Sequence, residues 1–312
     1  MTVVVAGQLA RDVVLLVDEL PPTGTSADAR LRLEMLGGKG ANQAVSLAQL
    51  GVPVALVAVA GDDRVGEELL AQARRDGIDV RYVVRRPGAQ TGLIVEALEA
   101  DGGWRYLQHL PVQVLLTEAD VAAAGPALDA AEAVLVQLQQ PPAAVLAAAR
   151  RGRDAGAMVV LDGAPGDGAD RATLLGTADV VRADAKEAEA LTGAPGNDPD
   201  RVLEAAWGLL SAGPRLLALA LGGAGNLFVW DDRAWGRGHA LLPLAKEKII
   251  DTTGAGDAFT AALTAALLRG DHPRDAARLA VGAAAACVGQ PGGRPALTPL
   301  DGGRPLIGPG GP

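Results

Sequence analysis

Apolar runs of strand length recur along the chain: TVVVAG (2–7), VALVAVAG (54–61), AVLVQL (133–138), AMVVLD (157–162), ADVVRA (178–183), RLLALAL (215–221) and NLFVW (226–230). Between many of them lie segments with apolar residues at helical spacing, at 40–50, 64–76, 142–154, 185–192, 199–212, 257–269 and 273–288. Wholly apolar strands alternating with amphipathic helices predict an α/β fold whose parallel sheet is covered on both faces. Such sheets bind ligands beyond the C-terminal strand ends, in the loops that lead into helices. Residues 8–36 and 81–110 break the pattern with a β-type alternation, and Asp101-Gly102-Gly103 is a hairpin-turn signal. These two stretches are expected to form a small β-sheet projecting from a main domain of residues 1–300. The tail 301–312, DGGRPLIGPGGP, is expected to be disordered.

Composition narrows the classes of function. Hydrophobic residues make up 49% of 312, enough for a large buried core in one domain or two. The net charge of −9 argues against nonspecific nucleic-acid binding, because no basic patch offsets phosphate charge. The single cysteine, Cys287, excludes a disulfide within the chain and is expected to be a buried small apolar residue. His109, His239 and His272 lack ligand spacing, so no zinc site is expected. The apolar N-terminus has no basic region and is interrupted by Gly7, Arg11 and Asp12, so it reads as strands and not as a signal peptide. No apolar run is long enough to span a bilayer. A soluble cytoplasmic protein with no membrane partner is expected.

Five stretches carry candidate chemistry. In GGKGANQAVSLAQLG (37–51), glycines let a backbone approach a ligand, and Lys39 and Asn42 offer donors to a hydroxylated or anionic molecule. It is not a Walker P-loop: Leu33 and Gly40 stand where that pattern needs Gly and Ser or Thr. In AGQLARDVVLLVDELP (6–21), Ala10 and Asp12 share a strand face, and the Asp12 carboxylate suits two sugar hydroxyls. In ADVVRADAKEAEALTG (178–193), Asp184 and Glu187 share the first turn of a helix, where two carboxylates suit the water shell of Mg²⁺. In LALALGGAGNLFVW (217–230), Gly222-Gly223-Ala224-Gly225 is either a plain hairpin or a backbone wall beside a nucleotide. In DTTGAGDAFTAAL (251–263), Gly254, Ala255 and Gly256 lead into a helix whose first-turn amides attract anions, yet Asp257 there is itself an anion. A nest of donors beside a carboxylate is what phosphoryl transfer to a hydroxyl needs. Each stretch alone also has a plainer reading as a helix cap, a turn or a solvated acid.

Together GGKGANQAV and DTTGAGDAF, about 210 residues apart, resemble the paired signatures of the ribokinase-like (PfkB) carbohydrate kinases. The resemblance extends through VAGDDRVGEELLAQARRDGIDV (59–80), VLVQLQQP (134–141), VVLDGAP (159–165) and EAEALTG (187–193), and the first motif is most similar to the ribokinase branch. It implies a three-layer α/β/α sandwich with a β-sheet lid that often serves for homodimerisation. It implies transfer of the ATP γ-phosphate, with Mg²⁺, to a hydroxyl of a sugar or sugar-like substrate. Asp257 is then the base, and Gly254, Ala255 and Gly256 supply the anion hole. Asp12, Gly38, Lys39, Asn42 and Gln139 take sugar-contacting places. Asp184 and Glu187 fall on the Asn-x-x-Glu motif linked to Mg²⁺ and phosphate, and Ala220, Gly222 and Gly225 line the nucleotide. Asp251 and Thr253 begin a monovalent-cation (K⁺) loop completed near Cys287, Gln290 and Gly292. The chain departs from the pattern at Ala10 (Asn in the family), Gln139 (Glu), Asp184 (Asn), Ala220 (Thr) and Ala296 (Ser). Loss of a paired hydroxyl contact alters selectivity strongly, so these departures bear on the substrate more than on the chemistry. A nucleoside kinase of the same fold, or a catalytically idle sugar- or nucleotide-binding protein, are the alternatives.

Overall fold

The computed structural model describes residues 2–99, 103–165, 171–244, 249–289, 292 and 294–300. The expected turn at 101–102, Gln290 and the tail 301–312 lie outside these. The strands are β1 (Val3–Ala6), β2 (Ala10–Val17), β3 (Leu31–Gly37), β4 (Val54–Gly61), β5 (Val83–Arg86), β6 (Gly92–Glu99), β7 (Trp104–His109), β8 (Ala133–Gln137), β9 (Met158–Asp162), β10 (Val180–Ala183), β11 (Leu216–Ala220), β12 (Asn226–Asp232) and β13 (Gly236–Leu242). The helices are α1 (Lys39–Gln49), α2 (Arg64–Arg75), α3 (Glu118–Ala123), α4 (Gly125–Asp129), α5 (Pro142–Asp154), α6 (Arg171–Thr177), α7 (Ala185–Thr192), α8 (Pro199–Leu210), α9 (Ala255–Leu268) and α10 (Pro273–Val288).

Nine strands form the main sheet in the order β13-β12-β11-β10-β9-β8-β1-β4-β5. The run from β11 to β5 is parallel, and β12 and β13 close one edge antiparallel. Strand residues alternate between two cores. Val3 and Val5 of β1 pack with α1, α9 and α10 residues such as Leu47, Leu263 and Ala280. Val4 and Ala6 pack on the other face with Val145, Leu191 and Val202 of α5, α7 and α8. Burial on both faces is why the strands carry no polar alternation, and it gives the expected α/β/α sandwich. Among the described residues no helix is long and apolar enough to cross a membrane.

A second sheet, β3-β2-β6-β7, stands over the first. Its centre is a parallel pair, β2 with β6, and its outer strands are antiparallel. The expected lid stretches need correction. β5, inside 81–110, belongs to the main sheet, where Val83 and Val84 pair with Ala58 and Val59 of β4. Residues 18–30 hold no strand. Four elements escaped the sequence reading. β13 is an exposed edge with little apolar signal, and α3, α4 and α6 are too short for a helical period to register.

Next to β1, the chain order runs to β4 on one side and to β8 on the other. That switch opens a crevice beyond the C-terminal ends of β1 and β8. Helix α1 enters it so closely that a Cβ on Gly40 would lie 2.7 Å from the backbone of Gly7 and Gln8. Helix α9, buried along most of its length, begins beneath the same crevice.

Candidate active site

Helix α9 starts from Gly254, held in the left-handed region at φ 70°. The first-turn amides of a helix have no partners within it, so those of Gly256 and Asp257 face outward as donors. Asp257 is 6% exposed. Helix α1 meets it from across the crevice: Asn42 Nδ2 donates to Asp257 Oδ2 at 3.3 Å, and Gln43 Nε2 to Oδ1 at 3.2 Å. Gln43 Nε2 also donates to Asp162 Oδ2 at 2.8 Å, at the end of β9. Asp162 in turn accepts from Arg182 Nη1 of β10 at 3.0 Å and from Thr260 Oγ1 at 3.4 Å. Burial, then the Asp162 charge, push the Asp257 carboxyl up to about 7, while Lys39, Arg182 and Asn42 pull the other way.

Of these groups, Lys39, Asn42, Arg182 and Asp257 line a cavity of about 370 Å³ between crevice and lid. Of the expected residues, Asp12, Gly38, Lys39, Asn42, Gln139, Asp184, Thr253, Gly254, Gly256 and Asp257 line it together. Ala255 sits in the same turn, its amide bonded to Thr252 O. Asp12 lies flat over Gly37, where any Cβ would fall 1.9 Å from its carboxyl carbon. Burial pushes the Asp12 carboxyl up to about 7. Asp12 Oδ1 and Asn42 Oδ1 are buried with no hydrogen-bond partner. Ala10 is wholly buried, and the polar side chain that faces the cavity beside it is Gln8.

Asp184 and Glu187 form a reciprocal capping box on α7, through Asp184 Oδ1 with Glu187 N (2.9 Å) and Asp184 N with Glu187 Oε2 (2.8 Å). One oxygen of each remains, and Glu187 Oε1 stands 3.9 Å from Lys39 Nζ. The plain reading as a helix cap therefore holds; Asp184 lines the cavity and Glu187 does not. Ala220, Gly222 and Gly225 sit at the β11–β12 hairpin and do not line this cavity. Asp251, Thr253, Cys287 and Gly292 do converge. Asp251 accepts from the amides of Thr253 (2.7 Å) and Gly292 (2.6 Å), and Cys287 Sγ donates to Thr253 O at 3.3 Å. Among the described residues no three ligating side chains cluster there or elsewhere.

The sequence reading missed the lid's share of the wall: Ile94, Glu96, Trp104, Tyr106 and Gln108. It also missed Gln43, Asp162 and Arg182. Asp162 and Arg182 carried a signal, being charges at the C-terminal ends of apolar strands, where sites form. Glu96 carried a weaker one, a lone charge amid the apolar LIVEAL.

Comparison with known proteins places the chain in a family. The chain matches the pfkB family carbohydrate kinases over residues 1–299. It is 29% identical to ribokinase of Mus musculus over 261 residues, 84% of this chain and 80% of the relative. It is 27% identical to deoxyribokinase of Salmonella typhi over 259 residues, 83% of each. The structure of Arabidopsis thaliana ribokinase complexed with ribose and ATP superposes with a TM-score of 0.78 at 27% identity, covering 95% of both chains.

Proposed function

The chain belongs to the pfkB family of carbohydrate kinases, and from that premise we propose how its own residues perform ATP-dependent phosphorylation of a sugar hydroxyl. The observation that carries the reading is Asp257, a buried carboxylate in the opening turn of α9, where the amides have no partner within the helix, and on the wall of the cavity. Asp257 accepts the proton of the attacking hydroxyl, while the Gly256 and Asp257 amides receive the charge of the transferring phosphoryl group. Lys39 and Arg182 flank that turn as cations, with Arg182 Nη2 packed so near Gly256 that a Cβ there would fall 2.5 Å away. Asp12, Gly38, Asn42 and Gln139 orient the sugar. The unpartnered Oδ1 atoms of Asp12 and Asn42 fit that task, because hydroxyl donors would satisfy them.

Magnesium fits the oxygens of Asp184 and Glu187 left over by the capping box; when bound it neutralises charge between the phosphates. Ala220, Gly222 and Gly225 would border the nucleotide from the hairpin beside β10. The loop tied by Asp251 to Thr253 and Gly292 would hold a monovalent cation through backbone carbonyls. Ribose-type and deoxyribose-type sugars head the candidate acceptors, from the relatives named above. Exposed Leu107, on the face of β7 opposite the cavity, would join two lids in a homodimer. ADP release measured over pentoses, deoxypentoses, hexoses and nucleosides tests the reading. Turnover of at least one sugar, abolished in Asp257→Ala, is expected; turnover that survives Asp257→Ala would overturn the assignment of the base.

A further inference from the structure

The two ends of the cavity differ in charge. At the phosphoryl end stand Lys39 and Arg182. At the lid end stand two carboxylates, Asp12 and Glu96, 6% and 2% exposed, and no ion pair reaches either among the described residues. Asp12 pairs with Ile94 and Val14 with Glu96 along β2 and β6, so the two acids lie two positions apart on one face of the lid. Glu96 takes hydrogen bonds from Thr253 Oγ1, at 3.1 and 3.0 Å to its two oxygens, and from Tyr106. Those two hydroxyls also bond to each other, so one of their two protons is left for a carboxylate that accepts about four. Asp251 adds negative charge beside Glu96 and comes within side-chain hydrogen-bond reach of it. Asp12 Oδ1 has no partner at all. Gln139, opposite the lid, brings no charge of its own.

Buried carboxylates persist when something cationic or donor-rich meets them. Among the described residues no cation meets these two, whose donors are the Gly38 amide at Asp12 and hydroxyls at Glu96, and the open space beside them is the acceptor's. An ammonium group there forms charge-assisted hydrogen bonds to both. A ligand carboxylate in the same place sets like charges together in a poorly screened site.

We propose that Glu96, acting with Asp12, determines which acceptor this kinase takes: a sugar bearing an amino group at the end that meets the lid, in preference to one bearing a carboxylate there. The inference rests on the kinase reading for the direction in which the sugar lies, its reacting hydroxyl at Asp257 and its far end at Glu96. D-glucosamine differs from D-glucose only by an ammonium in place of the C2 hydroxyl, D-gluconate is the open-chain acid with its carboxylate at C1, and all three keep the C6 hydroxyl.

The test is calorimetric titration of these three sugars into the full chain, as wild type and as Glu96→Gln, with melting temperature as the check on folding. Wild type is expected to bind D-glucosamine at least about tenfold tighter than D-gluconate, and Glu96→Gln to shrink that ratio to about threefold or less, in line with the loss of a charged hydrogen bond. Equal affinity of wild type for the two, or no binding of D-glucosamine, overturns the proposal whether or not the variant folds. So does a preference that survives unchanged in a folded Glu96→Gln protein. ADP release with the same sugars is a separate readout. Selective binding without turnover would overturn the kinase reading and leave the selection by Glu96 standing; turnover without selectivity would do the reverse.

Discussion

As the proposed base, Asp257 would act inside a wall of other acids. Its carboxyl is buried and faces Asp162, which lifts it to about 7, so near neutral pH it is divided between its two forms. The carboxylate is the form that accepts a proton. The rate constant kcat is therefore expected to rise with pH through about 7 and then level, read from initial rates at saturating sugar and ATP. Asp257→Asn keeps the shape and removes the base. It is expected to lower kcat by about 10²–10⁴-fold while calorimetry still detects sugar binding. The same burial acts on stability with a definite sign. Asp12 and Asp257 go from 3.8 when unfolded to about 7 when folded, so across that range the folded chain holds protons that the unfolded chain has released. Stability falls wherever the native state binds more protons as pH rises. The ligand-free melting temperature is expected to drop between about pH 4 and pH 7, and Asp12→Asn to flatten that slope; an unchanged slope would show that Asp12 is ionised in the free protein.

At the scale of elements, the site exists because three of them come unusually close. Gly40 lets the start of α1 rest on the β1–β2 connection, and Gly40→Ala forces the two apart. A loss of about 1–3 kcal/mol in denaturant unfolding is expected, with a raised KM because Lys39 and Asn42 move with the helix. The Arg182–Asp162 pair ties β10 to β9 and, through Gln43, to α1. These elements also mark how far the sequence could be read. The seven apolar runs and the glycine-rich turns marked seven of the main sheet's nine strands and both halves of the candidate crevice, since strand burial and helix starts are local signals. β5 was assigned to the lid because VVRR, four residues long, fits either sheet. Glu96 looked like any charge on a half-exposed strand; it is buried only because β6 folds against Thr253, 157 residues later. Gln43, buried inside α1, could be told from its neighbours only once Asp162 and Asp257 were placed beside it.

For the whole molecule, the lid and the main domain meet at few polar points, and the Glu96–Thr253 bond joins one to the other beside the catalytic turn. The same loop is held from below by Cys287, whose thiol is wholly buried and donates to Thr253 O. Burial, and then the charges of Asp257 and Asp251, push that thiol up to about 12. In the closed protein it is both shielded and almost entirely unionised, so a water-soluble disulfide reagent reaches it only when α10 and the 251–253 loop separate. Since the chain has no other cysteine, each modified molecule counts one such opening. Modification at about pH 8 is expected to be slow, and slower still with sugar and nucleotide bound; rapid labelling in both states would mean the loop is open at rest. The protein thus carries its own clock: a single sulfur atom records how often the catalytic loop lets go.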